Sequence, residues 1–271
     1  MSSSTAPDRI ASLRPRLVRG LRIASHASAV ALGLFLVVHL SAPATAAVAP
    51  PGMAQDWASK TMLLGRVYYQ GYVSEPLLVW GSLGVHAVSS ISKHLLLLAA
   101  PKASSSDSPR SRSRLSSAHT LSALALLPAV SIHALTTRVV PAQKGVSASL
   151  DHSFIARGFA RWPRLSSVLY ATLLGAAAVH IVGGVRRIFR ARPRQKDQTI
   201  AAGQREAARS ADAAKRKRRR EDAQKAGAAG ALLLLLAGLA RIVRDGALAG
   251  PGTLAKYDAC YAAVWPFRAA P

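Results

Sequence analysis

Five apolar segments, each near the ~20 residues needed to cross a hydrocarbon layer, constrain this chain more than anything else in it. They run roughly over 24–48, 76–100, 117–140, 167–189 and 227–248. The first contains the run Ala29 to Val38 and the last an unbroken leucine run, Leu232 to Leu236. Half of the 271 residues are apolar, yet the formal net charge is +24. A soluble globule reconciles those two facts poorly; apolar spans separated by basic loops reconcile them directly. The expected fold is all-α, a five-span transmembrane helical bundle over 24–248, with a basic N-terminus at 1–23 and a C-terminal tail at 249–271.

Orientation follows from where Lys and Arg fall outside the spans. They concentrate in the N-terminus (Arg9, Arg14, Arg16, Arg19, Arg22), in the loop after span two and above all in the loop after span four. The positive-inside rule therefore places the N-terminus and those loops in the cytosol and the C-terminus opposite. The Arg- and Ser-rich start followed by Ala44-Thr45-Ala46-Ala47 also has the cast of a cleavable signal or presequence. The apolar stretch, however, is long enough to span and carries His39. The single cysteine, Cys260, excludes an intramolecular disulfide and leaves no thiolate set for structural zinc.

Two linkers differ in kind. Pro101 to Ser116 is Ser-, Arg- and Pro-rich and reads as a surface loop. The segment 190–226 combines Ala-rich stretches with the block Lys215-Arg216-Lys217-Arg218-Arg219-Arg220, and is expected to be a flexible, partly helical basic loop. Five spans argue against a nucleic-acid patch. The functional reading is attraction to anionic lipid headgroups, at ~1 kcal/mol per basic residue near the surface; the favoured one is a topology signal in a solvated loop, since positive-inside bias alone accounts for the block.

Four histidines, His39, His86, His133 and His180, fall one per span at an even spacing of 47 residues. An ionisable side chain inside a bilayer segment is costly, so each is a candidate for function. Counted from span ends that share a side, the four lie within roughly 9 Å of one another in depth. The even spacing itself reads as coincidence, because consecutive spans are antiparallel. A second set, His26, His94 and His119, lies toward the cytosolic ends. Imidazole is the usual axial ligand of haem, so two of His39, His86, His133 and His180 are candidate ligands of a b-type haem. Small neighbours such as Gly84, Gly175 and Gly183 would make room for a macrocycle, or simply for close helix packing. No hydrolase, kinase or dinucleotide signature is present, and no catalytic residue or metal site is expected. Trp57, Trp80, Trp162, Tyr68 and Tyr69 lie near span boundaries, where aromatic rings anchor helices.

Three blocks carry a resemblance. They are Gly65-Arg66-Val67-Tyr68-Tyr69-Gln70 with Glu75-Pro76-Leu77-Leu78-Val79 and His86; Leu127-Pro128 with His133, Arg138 and Pro141; and Gly158-Phe159, Trp162-Pro163, Tyr170, His180 and Gly183-Gly184. As a set they resemble the fungal Mdm-ten-complementing protein family over roughly 20–248. The resemblance implies a five-span mitochondrial outer-membrane protein whose membrane domain is grouped with the haem-carrying anchor subunits of succinate dehydrogenase and fumarate reductase. It also implies a role in lipid homeostasis at organelle contacts, as an adaptor for a bridge-like lipid-transfer protein of the vacuolar-sorting type. In the family, recruitment is linked to a Pro-X-Pro motif before span one. Here Pro7 and Pro15 stand alone, so recruitment would use another surface, such as the segment around Arg190 to Lys225.

Overall fold

A computed structural model of the chain describes residues 6–99, 117–188 and 203–270. Every regular element among them is helical. The chain divides into two compact units, one comprising Met1–Thr45 and Asp56–Ser108, the other Ala46–Gln55 and Pro109–Pro271.

The first unit is built on α1 (Ala6–Val48), α2 (Ala54–Tyr69) and α3 (Ser82–Leu98), the last preceded by a π-helical stretch, Glu75–Gly81. Helix α1 begins well before the expected span and contains the apolar stretch Leu13–Val48. The basic N-terminus is thus largely the first turns of α1. Helix α3 packs antiparallel on α1. Arg14 donates to the Leu96 carbonyl, Ser25 Oγ and Ser90 Oγ lie 3.0 Å apart, and His86 Nδ1 donates to the Ser25 carbonyl at 3.1 Å.

The second unit opens with a long helix made of α4 (Ala118–Ala134), a π-helical stretch Leu135–Val139 and α5 (Val140–Gln143). Pro141 has no N–H to continue the i→i−4 ladder, and a π-bulge just before it is a usual accommodation. Short α6 (His152–Arg161) leads into α7 (Pro163–Ile188), which returns along α4. Helix α8 (Gly203–Asp245) is 43 residues, about 65 Å. The expected loop 190–226 is therefore helical from Gly203 onward; 189–202 lie outside the described residues. Ala-rich spacing and low Gly and Pro content let the span's helix continue outward through the basic block.

The C-terminal tail is ordered by aromatic packing. Helix α9 (Pro251–Tyr261) buries Tyr257 and Tyr261 against Phe154, Trp162 and Phe267. Tyr261 stacks on Phe154 at 4.4 Å, and Tyr257 Oη donates to the Ser149 carbonyl. Trp162 is consequently a core residue, 7% exposed, and not the interfacial anchor its position suggests. Trp57 and Tyr68 do stay exposed. The segment 46–55 is clamped to the end of α8. Arg241 donates to the Ala47 and Pro50 carbonyls, Asp245 accepts from the Ala54 amide, and buried Gln55 bridges Ser153 and Gly246.

Among the described residues four helices are long and apolar enough to cross a membrane: Leu13–Val48, Ala118–Gln143, Pro163–Ile188 and Arg218–Asp245. The expected second span does form a helix, but Ser82, Ser89, Ser90, Ser92, Lys93 and His94 leave it less apolar than these four.

The two units repeat each other at an offset of 94 residues, twice the histidine spacing. Ser28-Ala29-Val30-Ala31-Leu32 and His39 on α1 correspond to Ser122-Ala123-Leu124-Ala125-Leu126 and His133 on α4. Gly81, Val85-His86, Val88 and Lys93 correspond to Gly175, Val179-His180, Val182 and Arg187. The contacts repeat as well. His86 Nδ1 donates to the carbonyl 61 residues upstream, at Ser25, and His180 Nδ1 does the same at His119. Ser28 and Ser122, both buried, each donate to that carbonyl, which lies three residues before them. The repeat accounts for the 94 residues between His39 and His133 and between His86 and His180; the placing of His86 midway, which makes the spacing even, is a coincidence.

Candidate functional site

The histidines fall into two layers within each unit, and these are not the layers that counting depth from span ends suggests. In the first unit His86 packs at the level of Ser25 and Ser28, with its Nδ1 3.4 Å from Ser28 Oγ. His39 is eleven residues beyond Ser28, about 16 Å further along α1. There it stacks on Phe35 at 5.2 Å and meets the edge of Tyr69 at 6.2 Å. Tyr69 is buried, and it belongs to α2, so His39 faces α2 while His86 is held by α1 nearer its start.

In the second unit His180 stacks on His119, with ring centroids 4.1 Å apart and planes at 11°. His119 Nδ1 donates to the His180 carbonyl at 3.0 Å, and His180 Nδ1 donates to the His119 carbonyl at 3.2 Å. A carbonyl can only accept, so both rings carry their proton on Nδ1. Gly183 makes this approach possible: a Cβ there would lie 2.9 Å from both Cβ and Nδ1 of His119. His133 sits 14 residues further along α4, about 21 Å away, edge-on to Tyr170 at 5.8 Å.

Within each unit, therefore, no two of His39, His86, His133 and His180 face each other. Two imidazoles that share an iron point their nitrogens at one another across it. His119 and His180 lie face to face with no room for a macrocycle between them. The residues within a unit do not fit a haem held by the expected pairs. Among the described residues no cluster of three or more His, Cys, Asp or Glu side chains is placed to hold a metal ion.

The basic block lies on α8. Arg186, in the last turn of α7, donates to the Glu221 carbonyl at 3.4 Å, which fixes the level of the two helices. Lys215, Arg216, Arg218, Arg219 and Arg220 are exposed within the turns that follow outward, about 9 Å from Lys215 to Glu221. The side chain of Lys217 lies outside the described residues. The block thus extends over a length of helix comparable with the headgroup region on one side of a bilayer, which is about 5–7 Å deep.

One feature was not legible from motifs. An apolar groove of about 430 Å³ runs between α7 and α8, lined by Phe159 of α6, by Ser167, Tyr170 and Ala171, and by Leu236, Leu239, Ala240, Val243 and Arg244. Its only signal in the sequence is the placement of small residues opposite large ones on two spans.

Long apolar helices with inward-turned histidines and serines and a basic helical extension define a polytopic helical membrane protein. Residues 128–247 match the family described as MDM10-complementing protein 1, transmembrane domain. The match runs from within α4 to the end of α8, so these membrane helices of the second unit are similar to that family's transmembrane domain. No curated protein matches the chain, and no solved structure does.

Proposed function

We propose that the chain is a mitochondrial outer-membrane protein with a cytosolic N-terminus that supports lipid homeostasis at organelle contact sites. Its work is binding, without turnover: it acts as an adaptor for a bridge-like lipid-transfer protein of the vacuolar-sorting type. The family match supports the membrane and the organelle. The observation that carries the adaptor reading is the basic block on α8, exposed on a helix continuous with a span. A basic arm next to a span attracts anionic headgroups and offers a fixed surface to a soluble partner. With no Pro-X-Pro before span one, this arm is the surface through which recruitment is expected to run.

The test is deletion of the gene in cells whose other endoplasmic reticulum–mitochondrion tethers are disabled. Mitochondrial lipid composition and morphology should change, and the intact chain should restore both. A chain with Lys215 to Arg220 replaced by Gln should reach the membrane but recruit less of the lipid-transfer protein. No change on deletion would sink the reading; full rescue by the Gln variant would remove the arm from it.

A further inference from the structure

We infer that the groove between α7 and α8 is a binding site for one glycerophospholipid with an anionic headgroup, its phosphate on Arg244 and an acyl chain laid toward Leu236. The inference needs only that these helices span a membrane and is independent of the adaptor reading.

Both walls of the groove are spans, Pro163–Ile188 and Arg218–Asp245. The Arg186–Glu221 contact at one end, and Ser167 and Tyr170 beside Val243 and Arg244 at the other, make the two helices antiparallel, so Arg244 stands near the start of α7, away from the basic block. From Arg244 to Leu236 is eight residues, about 12 Å of helix, so the groove runs from the interface into the hydrocarbon. Its charge lies only at the outer end. The rest of the lining is apolar apart from Ser167 and the Tyr170 hydroxyl, and the Tyr170 ring is fixed between Phe159 and His133. The floor is thus preformed.

The neighbouring charges are already committed. Arg241 is spent on the Ala47 and Pro50 carbonyls, and Asp245 accepts from the Ala54 amide. Arg244 is exposed and forms no ion pair among the described residues. A guanidinium at the interface end of an apolar groove is matched by a phosphodiester, which it binds through two parallel N–H donors, above an acyl chain. Lipid tails are as apolar as the groove, so burying one there gains little over the surrounding bilayer. Selective retention must then come from the Arg244–phosphate contact and from fit, which makes both open to substitution.

The experiment is native mass spectrometry of the full chain in detergent, titrated with palmitoyl-oleoyl phosphatidylglycerol. One lipid should be retained at collision energies that strip the rest. Arg244→Gln should lower that retention about tenfold, Arg244→Lys less, because the point charge remains while the fork is lost. Ala240→Phe, which fills the groove, should abolish it, whereas Ala240→Ser should not. Inorganic phosphate should fail to compete, since the acyl chain is part of the fit. Thermal melting separates loss of lipid from loss of fold. Unchanged retention in folded Arg244→Gln and Ala240→Phe proteins would overturn the proposal, as would competition by phosphate alone.

Discussion

His119 and His180 clasp each other by the same bond in both directions: each imidazole donates its Nδ1 proton to the other residue's carbonyl, while the rings stack 4.1 Å apart. Each side chain thereby gives its neighbour's backbone an added acceptor role without opening either helix. In a bilayer an unpaired imidazole N–H is costly, so the clasp both meets that cost and fixes the register of α4 against α7. The first unit uses half of it. His86 donates to the Ser25 carbonyl, and Ser25, which takes the place of His119, bonds Ser90 instead.

The clasp depends on Gly183. A methyl group there would sit 2.9 Å from two atoms of His119, and neither is the far end of a flexible chain. Gly183→Ala should therefore destabilise the second unit by about 1–3 kcal/mol, the usual cost of overpacking. Gly175, on the same helix, has nothing within 4 Å of its would-be Cβ. Gly175→Ala should be neutral or slightly stabilising, since Ala is the better helix former. Thermal melting of the two variants in one detergent checks this; equal melting temperatures would mean that the helices are free to separate at this level.

Most of the bundle is legible in the sequence because spans are set by length and hydropathy, which are properties of single segments. Which side chains meet depends on register between segments, and that is where depth counting fails. Counting takes the far-side ends of spans one and two as level. Ser25, however, lies 23 residues before the end of α1 and His86 only 11 after Glu75. Helix α1 thus runs on about 18 Å further, and His86 meets Ser25, not the level of His39. The repeat is visible in Ser28 to Leu32 against Ser122 to Leu126, but a 47-residue spacing conceals its 94-residue period. The C-terminal core was missed because Tyr257 and Tyr261 lie in a short, weakly patterned helix. Only their partners Phe154 and Trp162, about a hundred residues earlier, explain them.

The ring geometry bears on haem. With His180 stacked on His119, and His39 and His133 about 16–21 Å along their helices from the clasp levels, no unit presents an axial pair. The reduced-minus-oxidised spectrum of the detergent-purified protein is expected to show no b-type haem held between two of these histidines of one unit. A b-type band near one haem per chain, lost on His180→Ala or His86→Ala, would show that the expected ligands act together after all.

Cys260 is fully buried in the aromatic cluster of the second unit, and burial pushes its thiol pKa up. The reactive species is the thiolate, so both access and ionisation work against modification. The native protein should react with a small maleimide at neutral pH far more slowly than a free thiol, and at the rate of a free thiol once unfolded. Replacing Tyr261 by Ala removes a ring from the cluster and should speed the native reaction by at least about tenfold, through local opening. Rapid labelling of the untouched native protein would show that α9 does not hold its place.

The segment 75–98 is less apolar than the four long helices, yet its counterpart in the repeat is Pro163–Ile188, which is one of them. Its serines, with Lys93 and His94, account for the difference. Ser82 and Ser89 are buried, donating to the Leu78 and His86 carbonyls, so their hydroxyls are satisfied within the helix. Polar groups met in this way are tolerated at membrane depth. Lys93 stands where Arg187 ends the equivalent span, close enough to the end to extend its charge to the interface. The segment is therefore expected to cross the bilayer, giving five spans with the termini on opposite sides. Single cysteines at Tyr72 and at Lys102, probed with a membrane-impermeant maleimide before and after permeabilisation, decide the matter, and buried Cys260 adds little background. Opposite accessibility supports five spans. Labelling from one side at both positions would make 75–98 a helix that enters and returns, and would put both termini in the same compartment.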